Sequence, residues 1–209
     1  MNYSDFDEIK RELAGELICE SAPDYLRKKG QGEYTLDDYY ALPEDERYEL
    51  IDGYLFKMFS PTWTHQQLAG LIFHQLMTFK DKHHARCQPA ISPLDVQLDK
   101  DQYTMVQPDV LILCDPDKVW KNKRLYGAPD FIVEVLSPST RKKDISLKLF
   151  KYRNAGVREY WILDPENQTV TVHDIEHNSI PKIYRFDEDI PVMIWGGACK
   201  INLSHTISD

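Results

Sequence analysis

The stretch that decides the fold is Phe131-Ile132-Val133-Glu134-Val135-Leu136, in which a single carboxylate interrupts an apolar run. A similar stretch, Gln107-Pro108-Asp109-Val110-Leu111-Ile112-Leu113, precedes it in the chain. Short apolar runs rich in β-forming residues are typical of buried strands. An unpaired charge in a core is costly, so a carboxylate there usually has a cation beside it. If the two strands pair, Asp109 and Glu134 lie together at one end of a sheet, as in a site for a hard metal ion.

The residue types at this sheet end suit a divalent metal. Carboxylate oxygens are the ligands that Mg²⁺ or Mn²⁺ requires, and the backbone carbonyl of Val135 can add another. Coordination positions would remain open for water and for a phosphate oxygen. A metal-bound water is more acidic and hence a better nucleophile, and the ion also offsets charge in the transition state. This pattern favours Asp109, Glu134 and Val135 as metal ligands.

A helix predicted over residues 140–154 follows, with Asp144, Lys148 and Tyr152 at positions i, i+4 and i+8. These residues lie roughly along one face, drifting by about 40° per step. If this face looks toward the end of the sheet, the ammonium of Lys148 reaches the carboxylate pair. It could there orient the attacking water or stabilise a pentacovalent phosphate. The alternative is a surface ion pair between Asp144 and Lys148, worth well under about 1 kcal/mol.

The order of elements around these strands predicts an α/β fold. A strand, the 140–154 helix and a further strand at 159–163 form a right-handed crossover. The turn pairs Asp52-Gly53 and Asp164-Pro165 instead predict antiparallel neighbours. The combination is a mixed β-sheet flanked by helices.

Length and composition set further limits. The chain has 209 residues, a net charge of −9 and 42% hydrophobic residues, which suits one folded domain and excludes a disordered chain. No apolar run is long enough for a membrane span, and residues 1–10 are polar and acidic, unlike a signal peptide. We therefore expect a cytoplasmic protein without membrane association.

The cysteines are expected to be free, buried thiols. They are scattered through the chain, with no CxxC pair that would indicate a zinc site or a disulfide framework. The four are Cys19, Cys87, Cys114 and Cys199.

The charge is unevenly distributed. Residues 118–153 contain ten basic and three acidic residues, a local balance of +7 that leaves −16 for the rest of the chain. This basic island could face an anionic substrate, or it could be a solvated helix face. The overall acidity argues against a protein that coats nucleic acid non-specifically.

Several ordered blocks of the sequence resemble the Uma-two type of bacterial endonucleases. That family belongs to the restriction-endonuclease-like superfamily, whose signature is PD followed by D/E-x-K. The resemblance extends from about residue 34 to residue 174. The matching blocks are Pro108-Asp109, residues 134–140, Asp144, Lys148, Tyr152 and residues 156–161, with residues 34–39, 48–53, 60–61 and 65–66 upstream.

The resemblance implies a Mg²⁺-dependent or Mn²⁺-dependent nuclease that acts on DNA, with Asp109 and Glu134 as metal ligands. Leu136 departs from the signature, because it stands where D/E-x-K has lysine. Lys148 on the following helix is the matching lysine of this family type. Glu49 matches a further carboxylate near the metal.

The resemblance also implies the organisation of the chain. Residues 34–209 would form the endonuclease-like domain. Residues 1–33 lie outside the resemblance and are predicted to form a helical extension, because Ile9, Leu13 and Leu17 follow one another at helical spacing. Double-strand cutting would favour a homodimer with two-fold symmetry.

Two other functions stay open at this point. The protein could be a catalytically idle nuclease-fold protein that binds nucleic acid or a protein partner, which its acidity and the missing signature lysine favour. It could also hydrolyse small phosphates or nucleotides with the same carboxylates.

A few further residues could serve the site. His65 could contact a phosphate at the mouth of a cleft, although helix capping or a surface position is the more common use. Asp95 could lie near the site or on the surface. Aromatic residues that could stack on bases are Trp120, Tyr126 and Trp161, with core packing the more common role for Trp161.

Overall fold

The computed structural model describes residues 3–14, 22–99, 101–118 and 124–204. Its helices are α1 (Tyr3–Ala14), α2 (Asp24–Arg27), α3 (Leu36–Tyr40), α4 (Trp63–His83) and α5 (Leu149–Ala155), and a π-helical segment, Lys143–Lys148, leads into α5. The strands are β1 (Tyr48–Ile51), β2 (Tyr54–Lys57), β3 (Gln88–Ile91), β4 (Val96–Gln97), β5 (Val110–Leu113), β6 (Leu125–Tyr126), β7 (Phe131–Val135), β8 (Glu159–Asp164), β9 (Thr169–Asp174), β10 (Lys182–Arg185), β11 (Ile190–Val192) and β12 (Cys199–Ile201).

A six-stranded mixed sheet with the order β10-β9-β8-β7-β5-β3 forms the centre of the fold. The neighbours β7 and β8 are parallel and are connected by the π-helical segment and α5, whereas the other neighbours are antiparallel. The predicted crossover and the predicted α/β class are therefore confirmed. The predicted hairpin around Asp52-Gly53 is also confirmed, as β1 and β2.

Helices cover both faces of this sheet. On one face, α4 buries Leu68, Ile72 and Leu76 against alternate residues of β5 and β7. The π-helical segment and α5 together form the crossover helix, which covers the other face. Its residues Leu147 and Tyr152 pack on the remaining strand positions. Because side chains alternate along a strand, both strands are apolar on both faces.

The antiparallel register of β5 and β7 positions the two carboxylates. Val110 lies opposite Val133, so the next pair of positions along the register is Asp109 and Glu134. The backbone N–H of Val135 donates a hydrogen bond of 2.8 Å to Oδ2 of Asp109. The pairing of the two strands predicted from sequence is thus observed.

The lengths of two strands differ from the prediction. Residues 90–98 form not one strand but β3 and β4, and residues 103–113 contribute only β5 and two isolated bridges, at Met105 and Val106. Pro93 and Pro108 lie at the interruptions. A proline has no N–H to donate, so a hydrogen-bonded ladder is broken there.

The expectation of free thiols is wrong for one cysteine pair. Cys87 and Cys114 form a disulfide. The register places Gln88 opposite Leu113, so the two cysteines lie opposite each other just beyond this pair. Scattered positions in sequence gave no sign of this proximity. Cys199 is a free, buried thiol as expected, and Cys19 lies outside the described residues.

Helix α1 packs against the crossover helix of its own chain. The rings of Phe6 and Phe150 stack with centroids 4.0 Å apart, and Nζ of Lys10 lies 3.1 Å from Oδ2 of Asp52. The division into residues 1–33 and 34–209 stays a prediction. Within the described ranges, no helix has the length and apolar character needed to cross a membrane.

Candidate active site

A cavity of about 340 Å³ opens where β5 begins and β7 ends, between the start of α4 and the π-helical segment. All five site residues predicted from the sequence line it, together with three residues that the prediction did not place in the site. The predicted ones are Glu49, Asp109, Glu134, Val135 and Lys148, and the additional ones are His65, Lys143 and Asp144.

Lys148 lies at the centre of the buried charges. Its Nζ is 2.8 Å from Oε1 of Glu134 and 2.8 Å from Oε1 of Glu49, and 3.6 Å from Oδ1 of Asp144. Burial alone would lower the pKa of Lys148, but these carboxylates raise it well above its ordinary value. The group is therefore an ammonium ion at neutral pH.

Glu49 is fully buried on β1 and fixes two lysines. Its Oε2 accepts a hydrogen bond of 2.6 Å from Lys143, and its Oε1 accepts one of 3.0 Å from the backbone N–H of Gln107. Although burial acts to raise it, the ammonium groups of Lys143 and Lys148 lower the pKa of Glu49 to about 2. Glu49 is therefore an anion at neutral pH.

Glu134 is held by a tyrosine hydroxyl as well as by a lysine. Its Oε1 accepts a hydrogen bond of 2.6 Å from the hydroxyl of Tyr152 in addition to the contact with Lys148. Burial raises the pKa of Glu134 well above its ordinary value, and the neighbouring charges of Asp144 and Asp109 raise it further. A second cation near Glu134 would relieve this repulsion.

Asp109 is the most accessible of the four carboxylates. Its Oδ2 lies 3.1 Å from Nε2 of His65, which α4 presents from its first turn. Burial acts to lower the pKa of His65, but Asp109 raises it above its ordinary value. The ring nitrogen Nδ1 of His65 is buried without a hydrogen-bond partner.

The charges of the site fit a divalent cation. Three buried carboxylates, on Glu49, Glu134 and Asp144, face two buried ammonium groups, and Asp109 adds a further carboxylate at the mouth. Oδ1 of Asp144 is buried without a hydrogen-bond partner. Within residues 3–14, 22–99, 101–118 and 124–204, no three His, Cys, Asp or Glu side chains are arranged to hold a metal by themselves. Backbone oxygen, water or substrate would therefore have to complete the coordination.

Local structure explains which residues the prediction placed and which it missed. Asp144, Lys148 and Tyr152 share one face as expected. Lys143 joins them because residues 143–148 form a π-helical segment, which an α-helical period does not reveal. For His65 the sequence predicts a phosphate contact, a helix cap or a surface position, because it does not indicate that α4 begins beside Asp109.

Three members of the basic island are buried inside the molecule. Lys143, Lys148 and Lys151 are buried, so the interpretation as a solvated helix face is wrong for these three. Lys121 and Lys123 lie outside the described residues. Lys151 contacts Asp52 and Asp99. The contacts of other members are Arg141 with Asp164 and Glu166, Lys142 with Glu12, and Arg124 with the ring of Tyr40.

Asp95 and two of the tryptophans that could serve the site lie elsewhere or outside the described residues. Asp95 does not line the cavity and instead accepts hydrogen bonds from Tyr39 and Gln107. Trp161 is buried in the core, while Trp120 lies outside the described residues.

The six-stranded mixed sheet and the helices on its two faces define a mixed α/β protein, with Asp109 just before β5 and Glu134 near the end of β7. The fold is similar to the crystal structure of a "putative nuclease belonging to DUF820" from Anabaena variabilis ATCC 29413, with a TM-score of 0.66 and 19% sequence identity. The match covers 83% of this chain and 97% of that chain. At this identity the similarity shows the fold alone.

The family is established by sequence. The model of the Uma2 family, described as "Putative restriction endonuclease", matches residues 36–192. The chain belongs to this family, which confirms the resemblance to the Uma-two type and supports a nuclease function. No curated protein matches the sequence.

Proposed function

We propose that the protein hydrolyses phosphodiester bonds of DNA with the help of Mg²⁺ or Mn²⁺ in the cavity where β5 begins and β7 ends. The observation that carries this proposal is the position of Lys148, whose ammonium group contacts both Glu134 and Glu49 in the cavity that Asp109 lines. A fixed positive charge beside carboxylates can stabilise a phosphate that gains negative charge during attack.

Asp109 and Glu134 would hold the metal ion, with the backbone carbonyl of Val135 as a further ligand. Once bound, the ion would acidify a water molecule and offset charge on the phosphate. The N–H of Val135 and the ring of His65 hold the carboxylate of Asp109 in place.

The other residues would act through their charges. Lys148 would stabilise the negative charge that develops on the phosphate, since its own pKa keeps it protonated. Glu49 would be a positioning residue, because its oxygens are engaged by Lys143, Lys148 and the N–H of Gln107. Its low pKa makes it a poor proton acceptor.

A cleavage assay tests the proposal. Supercoiled plasmid and labelled oligonucleotides should be cut in Mg²⁺ or Mn²⁺ and remain intact in EDTA. Asp109→Asn keeps the shape and an oxygen that can accept from Val135 but removes the charge, so it should abolish cleavage. Asp117→Asn, at an exposed position outside the cavity, is the control and should cut like wild type.

The alternative of an idle nuclease fold gives a different result. Direct contact between Lys148 and Glu134 leaves less of the Glu134 carboxylate for a metal, which is the observation that favours this alternative. Binding of DNA without cleavage in either metal would establish it and overturn the nuclease proposal.

A further inference from the structure

We propose that Phe59 and Trp63 form a base-stacking platform at the mouth of the cavity, and that the strand entering it is single-stranded or locally unpaired DNA. This inference rests on the proposed nuclease function, for which it names the form of the substrate.

The two aromatic rings are unusually exposed. Trp63 is 80% exposed and Phe59 is 67% exposed, although side chains of this size normally bury most of their surface. Phe59 lines the cavity itself, and Trp63 begins α4 two residues before His65. Thr62, the residue before Trp63, also lines the cavity. The ring of Phe59 therefore borders the cavity, and Trp63 adjoins one of its lining residues.

The backbone that carries these rings is well defined. The side chain of Thr62 caps α4 by accepting a hydrogen bond of 3.2 Å from the N–H of His65. Pro61 precedes this cap and restricts the backbone of the connection from β2. An exposed ring on a restrained backbone can bind a base with little loss of conformational freedom.

The depth of the site favours a single strand. Glu49, Glu134 and Lys148 are buried, so a phosphate must enter the cavity to reach them. A cavity of about 340 Å³ lies near the lower end of the range for small-molecule sites, which suits one nucleotide. A base-paired duplex is too wide to follow its phosphate inward, and an unpaired strand can bend and enter.

The charge distribution also favours stacking. The protein carries a net charge of −9, and Lys143, Lys148 and Lys151 are engaged by carboxylates of the chain. Attraction of phosphates to a basic surface, which dominates duplex binding, is therefore weak here. Stacking of bases on aromatic rings is independent of sequence and supplies affinity without surface cations.

Binding without cleavage provides the test. Fluorescein-labelled oligothymidylate and a matched duplex are titrated with the full chain in Ca²⁺, and anisotropy is recorded. Wild type should bind the single strand more tightly than the duplex. Trp63→Ala should weaken single-strand binding by about 10-fold or more, and Phe59→Ala should also weaken it. Trp63→Phe keeps an aromatic ring and should recover most of the affinity.

A control and a second readout separate stacking from loss of structure. Tyr25→Ala removes an aromatic side chain that is 53% exposed on α2, outside the connection from β2 to α4, so binding should not change. Oligothymidylate should quench the tryptophan fluorescence of wild type, and the quenching should fall in Trp63→Phe although binding persists.

Three outcomes would overturn the platform. The first is equal affinity of wild type for the single strand and the duplex. The second is unchanged single-strand binding by Trp63→Ala. The third is a change in the sedimentation of Trp63→Ala showing that the substitution only breaks a contact between two copies of the chain. The cleavage assay is independent of these results. Cutting of plasmid with unchanged Trp63→Ala binding would reject the platform alone, whereas Trp63-dependent binding without cutting would reject the nuclease activity alone.

Discussion

The ammonium nitrogen of Lys148 lies 2.8 Å from Oε1 of Glu134, because the crossover helix returns over the end of β7. Leu136, two residues after Glu134, instead packs in the apolar core with Leu147. A lysine at position 136 would have to bury its charge in this cluster. The helix thus supplies the positive charge to this carboxylate in place of residue 136.

Lys148→Ala should lower the rate of DNA cleavage by about 10²-fold or more, the scale for loss of one preorganised charge-stabilising group. Asp109 and Glu134 remain, so most of the metal affinity should persist. Lys148→Arg should restore the ion pairs but little of the rate, because the planar guanidinium cannot occupy the same point between Glu134 and Glu49. Single-turnover cleavage in Mg²⁺ measures both effects.

Lys142→Ala is the matched control for this prediction. Lys142 is exposed on the same helix, does not line the cavity, and contacts Glu12 at the surface. It should cut like wild type and unfold at nearly the same temperature. Equal rates for the alanine variants at 142 and 148 would remove Lys148 from the mechanism.

Metal affinity should depend on pH through Glu134. Its pKa is raised in the metal-free protein, so protons compete with the metal for the carboxylate. Affinity for Mn²⁺, measured by calorimetry, should therefore rise with pH. Glu134→Gln should bind Mn²⁺ more weakly and lose most of this pH dependence, while Asp117→Asn should behave as wild type. Identical affinities for wild type, Asp109→Asn and Glu134→Gln would contradict the ligand assignment.

The parts of the fold that could be predicted from sequence depend on local patterns. The apolar runs around Asp109 and Glu134 indicated buried strands, and the Asp52-Gly53 pair indicated a hairpin. The spacing of Asp144, Lys148 and Tyr152 indicated one helical face. Each of these signals lies within a few residues, and each was confirmed.

The parts that were missed depend on contacts between distant segments. Lys143 reaches Glu49 across 94 residues, and His65 reaches Asp109 from a different helix. The Cys87–Cys114 bond likewise needs the β3–β5 register. No periodicity in one sequence reports such distances, and the π-helical segment changes the period where Lys143 lies.

Glu49→Gln should destabilise the protein strongly at neutral pH. It leaves Lys143 and Lys148 without a buried anion, and breaking a buried ion pair on one side costs about 3–5 kcal/mol. Chemical denaturation measures the free energy of unfolding. Glu166→Gln, which removes an exposed partner of Arg141, is the control and should cost at most about 1 kcal/mol.

Acid should reduce the difference between wild type and Glu49→Gln. The pKa of Glu49 is lowered to about 2 in the folded protein, so its stabilising effect is present above the ordinary value near 4.5. This effect is lost as the pH falls toward 2. An equal loss of stability in Glu49→Gln and Glu166→Gln at neutral pH would show that the buried pairs are not formed.

Glu159 should make stability fall as the pH rises toward neutrality. Its carboxylate is buried at the start of β8, where it accepts hydrogen bonds from Nε1 of Trp161, at 2.7 Å, and from the N–H of Ile194, at 2.9 Å. Burial raises the pKa of Glu159 to about 7, and the two donors only partly offset this. Between pH 4.5 and 7 the folded state therefore keeps a proton that the unfolded state has released. The contribution of Glu159 to the free energy of unfolding is fully present below pH 4.5 and is lost as the pH rises through 7.

Glu159→Gln removes this titration. At about 1.4 kcal/mol per pH unit, the free energy of unfolding of wild type should lose up to about 3 kcal/mol between pH 4.5 and 7 through this group. The variant cannot reproduce the hydrogen bond from Ile194 with its amide nitrogen, so it should be less stable than wild type at low pH. Its disadvantage should shrink as the pH rises. Parallel stability curves for wild type and Glu159→Gln between pH 4.5 and 7 would show that Glu159 titrates at its ordinary pKa.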